Sequence, residues 1–65
     1  MRITVNGQEQ DVAAGTAGEL LEALGIKRER VAVLVNEQVI RRANLDEATL
    51  QEGDNVEIIT MVGGG

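Results

Sequence analysis

The sequence predicts an α+β domain in which a mixed sheet of about four to five strands packs on one main helix. Apolar and polar side chains alternate in residues 1–5, as in a half-buried strand. In the last strand, Val56, Ile58, Thr60 and Val62 alternate with Glu57, Ile59 and Met61. A helix with clear start and stop signals lies between them at 17–24, and a β-branched run follows at 31–35. With 65 residues the chain has room for one small aliphatic core, so we expect a single domain.

The first two elements form a predicted hairpin. Met1, Ile3 and Val5 share one face of a strand. Asn6-Gly7 follows, which is the strongest short signal for a two-residue hairpin turn because both turn positions need a positive φ. The returning strand, 8–12, is mostly polar, which is typical of a sheet edge.

Residues at both ends define the helix. Thr16 and Glu19 match a capping box, in which each side chain accepts a hydrogen bond from the other residue's backbone N–H. Gly25 is placed to end the helix in the left-handed conformation, with Ile26 completing a Schellman motif. Gly18 in the first turn is expected to cost about 1 kcal/mol relative to alanine. The apolar stripe at helical spacing consists of Ala17, Leu20, Leu21 and Leu24.

The second half of the chain continues the sheet. The run 31–35 predicts an interior strand, and a turn at 36–38 leads to a short strand at 39–40. A weaker capping pattern at 44–47 predicts a single helical turn, and Gly53-Asp54 a tight turn before the last strand. The first and last strands are both apolar on one face, so we expect both in the centre of the sheet.

The residue types that the chain lacks exclude several functions. There is no Cys, His, Ser or aromatic residue, which excludes thiol and Ser-His-Asp catalysis, thiolate or imidazole metal sites and base stacking. The net charge of -5 disfavours nucleic acid and acidic membranes as partners and favours a basic protein surface. No apolar run suits a membrane span or a signal peptide, so we expect a cytoplasmic location. A binding or carrier protein is predicted rather than an enzyme.

An apolar patch on the outer face of the sheet is the first candidate for partner binding. Leu34 on one strand, and Ile59 and Met61 on the last, point away from the predicted core. If these strands are neighbours, the three residues form a patch near the chain end, which we predict to dock partner proteins. Scattered surface apolar residues are the alternative.

Charged residues give weaker signals. Four acidic residues near the C-terminal half are candidates for pairing with a basic partner, with a solvated face as an equal alternative: Glu47, Glu52, Asp54 and Glu57. Arg41-Arg42 is too short for a nucleic-acid site, and a solvated surface is favoured. Asp46, Glu47 and Asp54 do not have the spacing of a calcium loop, so no metal site is predicted.

Five segments spread over the whole chain carry a resemblance to a known family. They are 5–8 (VNGQ), 20–26 (LLEALGI), 31–36 (VAVLVN), 50–58 (LQEGDNVEI) and the ending 61–65 (MVGGG). Together they resemble the ubiquitin-like sulfur carriers of the β-grasp fold, most closely the ThiS carriers of thiamine biosynthesis. The most specific part is the terminal diglycine at the end of a chain with this order of elements.

The resemblance implies chemistry at the chain terminus. An E1-like adenylating enzyme of the ThiF type would use ATP to convert the Gly65 carboxylate to an acyl-adenylate. Sulfur from a donor such as a cysteine desulfurase would then give a thiocarboxylate, which a thiazole synthase of the ThiG type consumes. The ATP and metal sites are expected on the partner enzyme, with no cofactor on this chain. The implied organisation is a β-grasp domain over 1–62 and a flexible glycine tail over 63–65.

Glycine suits such a tail because it has no Cβ, so Val62, Gly63 and Gly64 are expected to thread a narrow channel in the partner. Met61 stands where the family often has an aromatic residue, which leaves the carrier role intact and widens the choice of partner. Other functions stay open: a sibling carrier for molybdopterin synthesis or tRNA thiolation, a covalent ubiquitin-like modifier, and a non-covalent binding domain with an inert tail. The molybdopterin carriers tend to be longer, which favours the thiazole role.

Overall fold

The computed structural model describes residues 1–13 and 15–61, which form a five-stranded sheet packed on one α-helix. Helix α1 spans Ala17–Leu24, and 3-10 turns occur at Arg28–Arg30 and Arg42–Asn44. The strands are β1 (Arg2–Val5), β2 (Gln8–Asp11), β3 (Val31–Val35), β4 (Gln38–Ile40) and β5 (Asn55–Thr60). Their order across the sheet is β2-β1-β5-β3-β4, with β1 and β5 parallel and the other neighbours antiparallel.

The sheet topology confirms the main predictions for the strands. The first and last strands, β1 and β5, are neighbours inside the sheet, and the polar β2 is an edge strand. Both hairpins have two-residue turns, Asn6-Gly7 and Asn36-Glu37, in which all four residues have φ between 50° and 82°. The predicted turn at 36–38 is one residue too long, because Gln38 already pairs with Val35 in the ladder.

The predicted signals at both ends of α1 are confirmed. The Glu19 N–H donates to Thr16 Oγ1 over 3.1 Å, and the Thr16 N–H donates to Glu19 Oε1 over 2.9 Å. At the other end Gly25 has φ 73°, and the Ile26 N–H donates to the Leu21 carbonyl over 2.9 Å, which is the Schellman bond. The stripe is one residue shorter than predicted, since Leu24 is 38% exposed.

The core lies between α1 and one face of the sheet, and a loop closes it. Its buried residues are Ile3, Val5, Ala17, Leu20, Leu21, Val31, Val33, Leu45, Leu50 and Val56. Eight of these come from the helix and strands, whereas Leu45 and Leu50 come from the segment before β5. Such a core has no polar member, so its stability depends on aliphatic packing.

The predicted helical turn at 44–47 begins two residues earlier than expected. The structure has a 3-10 turn at Arg42–Asn44 that continues into a second turn, in which the Glu47 N–H donates to the Asn44 carbonyl over 3.0 Å. Leu45 is buried in the core. The Leu45 and Ala48 carbonyls accept hydrogen bonds from the Gly18 and Ala17 N–H groups, each over 2.9 Å. The first N–H groups of a helix have no partner within it. This segment is therefore held by its bonds to α1 rather than by a helix of its own.

The prediction that Gly18 weakens the helix omits a tertiary contact. A Cβ at Gly18 would overlap the Asp46 carboxylate. That carboxylate accepts two bonds from the Arg28 guanidinium, over 3.0 and 3.1 Å. The bonds, reinforced by the positive charge, lower the pKa of Asp46 below its ordinary value of 3.8. Gly18 thus leaves room for an ion pair that joins the connector to the 45–50 segment beside the helix.

Helix propensity alone predicts that Gly18→Ala raises the free energy of unfolding by about 1 kcal/mol. We expect no such gain, because the new Cβ displaces Asp46. In an Asp46→Ala background the same substitution should recover that gain. Urea unfolding of the parent chain, the two single variants and the double variant measures both effects. Equal increases in the free energy of unfolding in the two backgrounds would show that the contact between Gly18 and Asp46 does not affect stability.

The Arg28–Asp46 pair should also contribute to the pH dependence of stability. Because the pKa of Asp46 is lower in the folded chain, the contribution is complete above the pKa of the unfolded chain and is lost as pH falls through the folded one. The stability difference between the parent chain and Asp46→Asn should therefore shrink between about pH 5 and about pH 2. Urea midpoints across this range measure it, and a difference that does not change with pH would contradict the pairing.

Candidate functional site

The end of β5 is where the predicted reactive tail leaves the domain. Val62, Gly63, Gly64 and Gly65 lie outside the described residues. The last described residue, Met61, donates its N–H to the Arg30 carbonyl over 2.8 Å, which continues the β3–β5 ladder by one residue. The described chain therefore ends on an interior strand, directly beside the start of β3.

The ladder around β5 places the predicted docking residues on one face. Ile59 lies opposite Ala32, and Leu34 lies opposite Glu57. These residues alternate with Val33, Val56 and Val31, which are buried against α1. Side chains on a strand point alternately to the two faces. Leu34 and Ile59 therefore lie on the outer face, as the sequence predicts, and Met61 follows by the same alternation.

Exposure differs among the members of this face. Ile59 and Met61 are 48% and 49% exposed, whereas Leu34 is half-buried between its neighbours. Val39, which lies opposite Leu34 in β4, is 66% exposed and belongs to the same face. The sequence did not single out Val39, because the short predicted strand at 39–40 does not show which of its residues faces the core. Leu34, Val39, Ile59 and Met61 are called the outer apolar patch below.

Two of the four acidic candidates accept hydrogen bonds within the domain. Asp54 accepts hydrogen bonds from the Gln51 N–H over 2.8 Å and from Asn36 Nδ2 over 3.1 Å, which holds the turn before β5. Glu52 accepts a bond from the Arg2 N–H over 3.0 Å. Glu57 is exposed on the outer face beside Leu34, and the exposed Glu47 lines a shallow depression with Val39. These two acidic candidates border the outer apolar patch.

A shallow depression of about 460 Å³ lies between the β3–β4 hairpin and the 48–54 segment. Its polar lining includes Asn36 and Asp54, which are bonded to each other. Among residues 1–13 and 15–61 no group of three acidic side chains is arranged to hold a metal ion. In the same part of the chain no helix is long and apolar enough to cross a membrane. The outer apolar patch and the end of β5 are thus the features that suit partner binding.

Comparisons with known proteins agree with this geometry. The ThiS family model matches residues 3–65. The sulfur carrier protein ThiS of Escherichia coli is 33% identical over 66 residues, covering all of both chains. The crystal structure of a thiamine biosynthesis protein (ThiS) from Geobacter metallireducens matches with a TM-score of 0.86 and 38% identity, again over all of both chains. The predicted β-grasp fold and the predicted family resemblance are thereby confirmed.

A further similarity is to larger proteins. The thiazole synthase of Magnetococcus marinus is 41% identical over 66 residues, which are all of this chain and 20% of that protein. The chain spans about a fifth of the length of the two thiazole synthases that it matches. A region similar to this chain therefore occurs within proteins that are named for thiazole synthesis.

Proposed function

Because this chain belongs to the ThiS family, we propose that it carries sulfur for thiazole formation in thiamine biosynthesis, as a thiocarboxylate at Gly65. The observation that carries this proposal is the match, over the whole of both chains, to a sulfur carrier protein. The family model also extends to residue 65, so the glycine ending is part of the matched region. In this role the chain is a carrier and not an enzyme, made of a β-grasp domain over 1–62 and a glycine tail over 63–65.

The proposed chemistry takes place on the terminal carboxylate in a partner's active site. A carboxylate is a poor acyl donor, so an E1-like adenylating enzyme joins it to the AMP part of ATP, and pyrophosphate leaves. A sulfur nucleophile then attacks the acyl carbon and AMP leaves. If the nucleophile is a cysteine desulfurase persulfide, a second thiol reduces the acyl disulfide and releases the thiocarboxylate. The sequence has no Cys, His or Ser, so the partner supplies the reacting side chains.

The outer apolar patch is the proposed docking surface for the adenylating enzyme and for a thiazole synthase. Met61 belongs to the patch, and Val62 alone separates it from the glycine tail. Four residues separate Met61 from the terminal carboxylate, at most about 14 Å of extended chain. A partner that holds the patch therefore has the carboxylate within reach of its own active site. The similarity to part of a thiazole synthase supports that class of partner, since one polypeptide then contains both regions.

The carrier role predicts a change in mass at the C-terminus. Incubation with the E1-like enzyme of the same organism, ATP and a persulfide donor should replace one oxygen of Gly65 by sulfur. Intact-mass spectrometry detects this replacement, and fragmentation locates it. The chain lacking Gly64-Gly65 is the control and should stay unchanged. Attachment to lysine side chains would instead support a covalent modifier, and an unchanged full chain with an active enzyme would contradict the proposal.

The docking role predicts that Ile59→Glu weakens partner binding without unfolding the domain. Ile59 is about half exposed on the outer face, so the substitution removes apolar contact area and places a charge in the interface. We expect the dissociation constant for the adenylating enzyme to rise at least about tenfold. Leu24→Glu is the matched control, because Leu24 is a similarly exposed apolar residue on the helix. Equal affinities of the two variants in titration calorimetry would rule out the patch as the docking surface.

A further inference from the structure

Positive charge is concentrated beside the end of β5. Although the net charge is -5, five of the six basic residues lie in two short segments, 27–30 and 41–42. The structure brings these segments together, since the Arg42 guanidinium lies 3.5 Å from the Glu29 carbonyl oxygen. They are called the basic rim below, and its members are Lys27, Arg28, Arg30, Arg41 and Arg42.

The basic rim lies where the tail leaves the domain. The Arg30 carbonyl accepts the Met61 N–H over 2.8 Å, so these two residues lie opposite each other at the end of the β3–β5 ladder. Arg30 is exposed and ends the 3-10 turn that leads into β3, so a basic residue lies directly beside Met61 of the outer apolar patch. One border of the outer apolar patch is therefore basic.

The charges that accompany the rim do not neutralise it. Arg28 is paired with Asp46 and lies near Glu22 and Glu29, and Glu47 lines the same depression as Arg41. Four of the eleven acidic residues therefore accompany the five basic ones. Lys27, Arg30, Arg41 and Arg42 are all exposed. The other seven acidic residues belong to the rest of the molecule, and Glu57 borders the opposite end of the patch, beside Leu34. The carrier is thus an electric dipole whose positive end bears the tail.

From this arrangement we propose that the basic rim binds an acidic protein surface around the mouth of the channel that receives the tail. The inference rests on the proposed function for the identity of that partner. The rim orients the carrier in solution, so that the tail and not the acidic body approaches first. In a reversed approach the seven acidic residues of the rest of the domain face the acidic surface, which is repulsive.

The rim acts on docking rather than on the reaction at the terminus. A channel that takes the tail extended holds the carboxylate about 14 Å beyond Met61. That distance exceeds the Debye length of about 8 Å at physiological ionic strength. The rim therefore contributes little to the field at the phosphates of ATP, whereas it lies directly against whatever surface surrounds the channel mouth.

Two variants of equal net charge test this proposal. Arg30→Gln with Arg41→Gln removes two charges from the rim, and Gln8→Glu with Gln51→Glu adds two negative charges to exposed positions of the body. Stopped-flow association with the E1-like enzyme of the same organism is measured from low to physiological salt. We expect the rim variant to associate about tenfold more slowly at low salt and to lose most of its salt dependence. The body variant should change by less than about twofold.

Several outcomes would overturn the proposal. Equal slowing of both variants would show that net charge alone matters, and unchanged rates for the rim variant would show that the rim has no role. Thermal unfolding checks that both variants remain folded. Adenylation measured by intact mass at saturating carrier keeps the two proposals separate. If the parent chain is not adenylated but its association still depends on the rim, the result contradicts the proposed carrier chemistry and leaves the proposed role of the rim standing.

Discussion

The central position of β5 is the constraint on which the rest of the structure depends. This strand pairs with β1 on one side and with β3 on the other, although it comes last in the chain. Two asparagine side chains supply bonds that the neighbouring strands leave open. Asn6 Oδ1 accepts the Ile58 N–H over 2.8 Å, and Asn36 Oδ1 accepts the Asn55 N–H over 2.9 Å. Each asparagine is the first turn residue of a hairpin, so both hairpins are attached to β5 by the residue that also makes the turn.

The alternation of β5 separates stability from recognition. Val56 is fully buried on the inner face, while Ile59 is about half exposed on the outer one. A substitution on one face therefore leaves the other face largely unchanged, because successive side chains point in opposite directions. The same strand also determines where the chain leaves the domain, since its end at Thr60 is held beside the start of β3. One six-residue strand therefore contributes to the core and to the outer apolar patch, and its end lies beside the start of β3.

Local signals predicted the fold well, and contacts between distant segments account for what they missed. The Asn6-Gly7 turn, the Thr16–Glu19 capping box and the Gly25 ending each involve neighbours in sequence, whose chemistry is visible in the sequence itself. The role of Gly18 depends on Asp46 and Arg28, which only the fold brings together. The position of the 42–47 segment depends likewise on carbonyls bonded to the helix N-terminus. Val39 was missed because a three-residue strand shows too little alternation to assign a face.

An exposed apolar patch on so small a domain requires protection against self-association, and the sheet edges provide part of it. One edge strand, β2, carries Glu9 and Asp11, and the other, β4, has only three residues. Charged or short edges discourage pairing between copies. The net charge of -5 adds repulsion between whole molecules. Because most acidic residues lie away from the tail end, this repulsion protects the body and leaves the outer apolar patch open to a partner of complementary charge.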